Sequence, residues 1–139
     1  MTTEQIINWG KDNPKKVFLV DCVGAILSAF LLGIVLVQLE RIFGIPKPTL
    51  YFLATLPCLF AMYDLYCYFK ISKKPGLFLK GIAIANLLYG VLSIGLAIYH
   101  CNTITQWGWA YIIGEIMIVT AIAVFEWNVA NRLMTKYSL

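Results

Sequence analysis

Four apolar runs of span length follow one another along this chain, and the last, residues 107–131 (WGWAYIIGEIMIVTAIAVFEWNVAN), carries Glu115 and Glu126 inside it. A helix needs about 20 such residues to cross hydrocarbon, and inside a bilayer only a helix or a closed barrel satisfies its own backbone. Eleven residues separate the two carboxylates. At about 100° per residue they return to one face, roughly 16 Å apart along the axis. An acidic side chain at the centre of a span costs roughly 2.5–3.5 kcal/mol on insertion scales, so both glutamates are expected to face protein or a wet cavity rather than lipid.

The other runs fall at about 17–39, 49–69 and 77–99, and the charged residues, only 13% of the chain against about 25% in soluble domains, collect between them. These features predict an all-α integral membrane protein with four transmembrane helices, at about 17–39, 49–69, 77–99 and 107–131, joined by short loops. No repeat, low-complexity tract or long linker divides residues 1–139, so one domain is expected. The net charge of +4 is topological: the lysines flank spans and form no basic stripe interleaved with aromatics, which argues against nucleic acid as a partner. Lys11, Lys15 and Lys16 before an apolar run imitate a secretory signal, but the run is too long and lacks an A-x-A-like cleavage site, so a retained first span is expected.

Residues 1–14 read as an interfacial N-terminal segment, with Ile6 and Ile7 among polar neighbours and Trp9 as the anchor at headgroup level, broken at Asn13-Pro14. In the first span Asp21, Ala25, Ala29 and Gly33 recur every fourth residue with Gly24 and Ser28 beside them. Such a small-residue stripe lets another helix approach closely, although packing alone does not ask for Asp21. Pro57 removes one helical hydrogen bond in the middle of the second span and predicts a kink. Below it, MYDLYCYF (62–69) surrounds Asp64 with tyrosines, natural hydrogen-bond partners for a carboxylate kept out of water. The third span places Asn86, Tyr89, Gly90, Ser93, Ala97 and His100 at steps of three and four on one face.

Orientation follows from counting bases on alternate sides of four spans. One side takes nine (Lys11, Lys15, Lys16, Lys70, Lys73, Lys74, Lys80, Arg132, Lys136) and the other two, Arg41 and Lys47. Both termini and the loop at 70–80 are therefore expected in the cytoplasm. So lopsided a count also argues against insertion in both orientations. The pattern, without organelle targeting, points to a bacterial inner membrane.

With the spans oriented, Asp21, Asp64, Asn86 and Glu126 each fall one to two turns from the cytoplasmic ends and form a polar layer. The opposite half holds Gln38, Glu40, His100 and Glu115. Three carboxylates at one depth cannot all ionise in a low dielectric, so the layer must share protons or take up a cation. Lys16, Lys70, Lys80 and Arg132 are close enough along the chain to snorkel toward it and supply that cation.

Soft ligands are sparse. Cys22, Cys58, Cys67 and Cys101 show no C-x-x-C spacing, and a lone histidine cannot provide paired haem ligation within one chain. No phosphate loop, nucleophile elbow or H-E-x-x-H occurs, so no cofactor and no metal are predicted.

The reading that results is a bundle with a carboxylate-lined interior toward the cytoplasmic leaflet, binding or transporting a small cationic or amphipathic solute, or protons. Its candidate ligand and proton residues are Asp21, Asp64, Asn86, Tyr89, Glu115 and Glu126. Gly24, Ala25, Ser28, Ala29 and Gly33 are its candidate packing face, for a homo-oligomer or another membrane protein. One alternative is an accessory or assembly subunit of a larger membrane complex, whose polar residues only specify packing. Another is an enzyme acting on a lipid or isoprenoid with a buried carboxylate as general acid or base. No residue pattern singles out catalysis, and the balance falls against an enzyme.

Overall fold

A computed structural model describes residues 2–70 and 73–138, with side chains through Thr135. Ile71 and Ser72 of the basic loop, and the Lys136 side chain, lie outside what is described. Among the described residues there is no strand. The helices are α1 (Thr3–Asp12), α2 (Pro14–Gln38), α3 (Glu40–Phe43), α4 (Lys47–Lys70), α5 (Pro75–Tyr99) and α6 (Gln106–Ser138). Four of them, α2, α4, α5 and α6, are long and apolar enough to cross a membrane.

Local chemistry explains the boundaries. Pro14 and Pro75 open α2 and α5 at the first helical position, where a missing N–H is harmless and φ is already helical. Thr2 caps α1 by accepting from the Gln5 N–H at 3.3 Å, while the Thr2 N–H donates to the Gln5 side chain at 2.9 Å. Gly44 ends α3 at φ +72°, a left-handed turn, and an added Cβ there would collide with the Thr103 carbonyl oxygen. α4 runs unbroken through Pro57, which is buried. α2 contains one π-helical stretch, Leu31–Val35, which no sequence signal announced.

α2 pairs along its length with α4, and α5 with α6, giving two antiparallel hairpins. Contacts between the hairpins run mainly through α4 and α5, while α2 and α6 scarcely meet. α1 lies against the far end of α6, where Ile7 and Gly10 are buried and a Cβ on Gly10 would stand 2.7 Å from Val129. The N-terminal segment is thus a docked helix, with Ile6 and Trp9 left exposed on its outer side. Arg132 donates to Asn8 Oδ1 at 2.6 Å and also pairs with Glu4. Those contacts carry α6 beyond the 107–131 stretch expected from hydropathy.

The apolar core is split in two. One part, around Leu32, Leu36, Ile45, Leu50, Leu53 and Ile112, fills the end that carries the α4 and α6 N-termini. The other, around Val17, Phe18, Cys67, Leu79, Val129 and Leu133, fills the end that carries the chain termini. Asp21, Asp64, Asn86 and Glu126 occupy the level between them.

Candidate functional site

The structure brings those four residues, one from each spanning helix, into a single buried cluster. Asp64 and Glu126 are 0% exposed, Asp21 5% and Asn86 6%. Asn86 is its hub: the Nδ2 group donates to Asp21 Oδ1 and to Glu126 Oε2, each at 3.2 Å, which uses both hydrogens of the amide. Asp21 Oδ2, Glu126 Oε1 and both oxygens of Asp64 have no hydrogen-bond partner. The Asp64 carboxyl faces that of Asp21. With both ionised that contact is repulsive, whereas a proton shared between them, or a cation among them, makes it attractive.

The basic residues expected to snorkel inward do not reach the cluster. Arg132 is held by Glu4 and Asn8, Lys80 lies 4.5 Å above the Trp127 ring, and Lys16 and Lys70 are exposed. Among the described residues the two ion pairs are Arg132–Glu4 and Lys47–Glu40, both away from the layer. Each base found a partner or water nearer its own backbone, where its charge stays solvated at smaller cost. Nor do the described His, Cys, Asp and Glu residues converge in threes on a position for a metal ion.

Asp21 and Asn86 also line a cavity of about 330 Å³. Its α2 wall is Gly24, Ala25, Leu27, Ser28 and Leu31; Pro57 and Phe60 come from α4, Tyr89 from α5, and Tyr111, Gly114, Glu115, Ile118, Val119 and Ile122 from α6. Leu27 and Ile118 line it and yet are 57% and 63% exposed, so its mouth opens between α2 and α6 onto the apolar flank of the bundle. Glycine keeps that mouth wide, since a Cβ on either Gly24 or Gly114 would meet nothing within 4 Å.

The expected packing stripe of α2 therefore divides. Gly33 does approach a neighbour, with Ala54 3.3 Å from where its Cβ would be, and Ala29 is half-buried. Gly24, Ala25 and Ser28 instead border open space, because the helix that would have packed on them, α6, stands off across the cavity.

A second polar station lies farther along the same cavity. Tyr89 donates its hydroxyl to Glu115 Oε1 at 2.8 Å, and Ser28 and Tyr111 stand beside that carboxyl. Phe60 packs edge-on against Tyr89 and Phe43 against Tyr111, with ring centroids 6.2 and 6.3 Å apart. Glu115 and Glu126, which share a face of α6, thus serve two different stations. Sequence reasoning missed Tyr111 and Phe60 as cavity residues. Nothing in the spacing separates them from ordinary interfacial or core aromatics.

His100 and Glu40 lie elsewhere. His100 Nε2 and Thr49 Oγ1 share a hydrogen bond at 3.0 Å, and Glu40 stands 3.8 Å from Lys47. No family model, curated protein or solved structure matches this chain. The site's own atoms define its chemistry: acceptors in excess, no base from the described residues among them, and an apolar cavity leading to Asp21.

Proposed function

We propose that this protein binds a small cationic, amphipathic solute in the cavity between α2 and α6, and that the carboxylates of the polar layer take up its charge or release protons in exchange. The observation that carries this reading is the imbalance at Asn86. Three buried carboxylates meet one amide, which reaches only Asp21 and Glu126, with no base from the described residues beside them, and one of the three, Asp21, opens on a cavity with apolar walls. Buried polar groups are normally satisfied. An open Asp21 oxygen at the cavity wall, backed by three more in Asp64 and Glu126, fits a site whose donor arrives with the ligand. In the same reading both termini are cytoplasmic and the membrane is a bacterial inner membrane, so the layer lies toward the cytoplasmic leaflet.

Two measurements test it. Titration of heptylamine into the purified protein in nanodiscs, against empty nanodiscs, is expected to show saturable binding that strengthens with pH as protons leave the acids. Asp21→Asn and Glu126→Gln are each expected to abolish it; variants that bind normally across pH would overturn the proposal. Orientation is read with Cys101, exposed in the connection between α5 and α6. A membrane-impermeant maleimide is expected to label it in intact cells, and labelling only after lysis would reverse the topology.

A further inference from the structure

The cavity is acidic at two places rather than one, and the walls between them are apolar. Toward one end stands Asp21, nine-tenths buried with Oδ2 open, beside the Asn86 amide. Toward the other stands Glu115, held by the Tyr89 hydroxyl with Ser28 alongside. On α2 the two stations are marked by Asp21 and Ser28, seven residues apart, which is roughly 10 Å at about 1.5 Å per residue. Gly24, Pro57, Phe60 and Ile122 lie among the walls, and neither Lys, Arg nor His contributes to the lining.

A ligand with one charged head answers Asp21 and leaves the Glu115 carboxylate facing an apolar tail. Glu115 then keeps the Tyr89 hydroxyl as its donor but gains no counter-charge. A linear molecule with a donor at each end meets both carboxylates and lays its chain along the apolar walls. We infer that the site takes a two-ended amine, a linear alkyl chain with a protonated nitrogen at one end on Asp21 and a second on Glu115. At roughly 1.2 Å per extended chain bond, a gap of about 10 Å calls for about eight bonds between nitrogens, the length of diaminoheptane. This rests on the cation-binding reading above and sharpens it.

The test is a comparison of three probes on the unaltered protein in nanodiscs, by calorimetry against empty nanodiscs. Diaminoheptane is expected to bind about tenfold tighter than heptylamine, the gain of one charge-assisted hydrogen bond. Diaminopropane, too short to span the stations, is expected to bind no tighter than heptylamine. Glu115→Gln, which keeps the shape of the side chain, is expected to erase the advantage of diaminoheptane over heptylamine. Equal affinities for diaminoheptane and heptylamine on the unaltered protein would overturn the two-ended site while leaving the cation-binding reading standing. Absence of binding by all three amines would overturn both.

Discussion

The α3 end of the bundle and the polar layer between its two cores treat their polar groups in opposite ways. Where α3 meets the connection into α6, hydrogen bonds are made in series. Thr105 donates its hydroxyl to the Ile42 carbonyl at 2.5 Å and its N–H to the Phe43 carbonyl at 3.2 Å; Thr103 donates to the His100 carbonyl at 2.9 Å, and Thr49 pairs with His100. The Thr105 and Thr49 bonds lock one hairpin onto the other, and the Thr103 bond holds the connecting turn. The layer at Asn86 also ties helices together, yet leaves four carboxylate oxygens open. A polar network kept only for packing gains nothing from open acceptors, each of which costs about 1–3 kcal/mol when buried. The first region is built as a fastener, and the second has the imbalance of a place that exchanges something.

The largest effect is expected from breaking the fastener. A Cβ on Gly108 would collide with the Phe43 carbonyl oxygen and stand 2.7 Å from the Ile104 side chain. The first of these is backbone, which cannot swing aside. Gly108→Val is expected to destabilise the protein by about 3 kcal/mol or more, read as a lower thermal unfolding midpoint in nanodiscs. Heptylamine affinity per folded molecule should hold, because Gly108 is not part of the cavity lining. An unchanged midpoint would mean that this end does not fasten the hairpins.

A smaller effect of opposite sign is expected at Asp64, whose two oxygens are wholly buried and unpartnered. Asp64→Asn removes an ionisable group and supplies an amide that can donate to Asp21. It is expected to raise stability by about 1–2 kcal/mol while heptylamine binding is lost, the pattern of a site that holds strain for function. A fall in stability with binding intact would make the layer a packing device like the α3 end and erase the contrast.

The sequence showed the four spans and the depth of their acids because hydropathy and rise per residue depend on one helix at a time. Asp21, Asp64, Asn86 and Glu126 could be set at one level by counting turns. What could not be read was how each helix is rotated and which neighbour it meets. The stripe containing Gly24 and Gly33 looks uniform along the chain, yet one residue borders a cavity and the other touches Ala54. For the same reason the second station was only half legible. Tyr89 and Glu115 were singled out, but their bond links helices through rotations that no spacing encodes. Arg132 shows a further limit: it is near the layer in sequence, and was captured instead by Glu4 from the other end of the chain.

The smallest effect separates cavity from contact by one methyl group. Gly24 and Gly114 border the mouth, where a Cβ meets nothing within 4 Å, whereas a Cβ on Gly76, at the tight α5–α6 crossing, would stand 3.0 Å from the Ala130 carbonyl and 3.1 Å from Leu133. In a helix interior alanine is favoured over glycine by about 0.5–1 kcal/mol when nothing obstructs it. Gly114→Ala is therefore expected to raise the unfolding midpoint slightly and, because the methyl enters the mouth, to weaken heptylamine binding. Gly76→Ala is expected to lower the midpoint and leave binding alone, since the α5–α6 crossing must open before the methyl fits. If both alanines destabilised the protein equally and binding did not change, the gap between α2 and α6 would be closed in the membrane. The asymmetry between satisfied and open polar groups would then belong to packing alone.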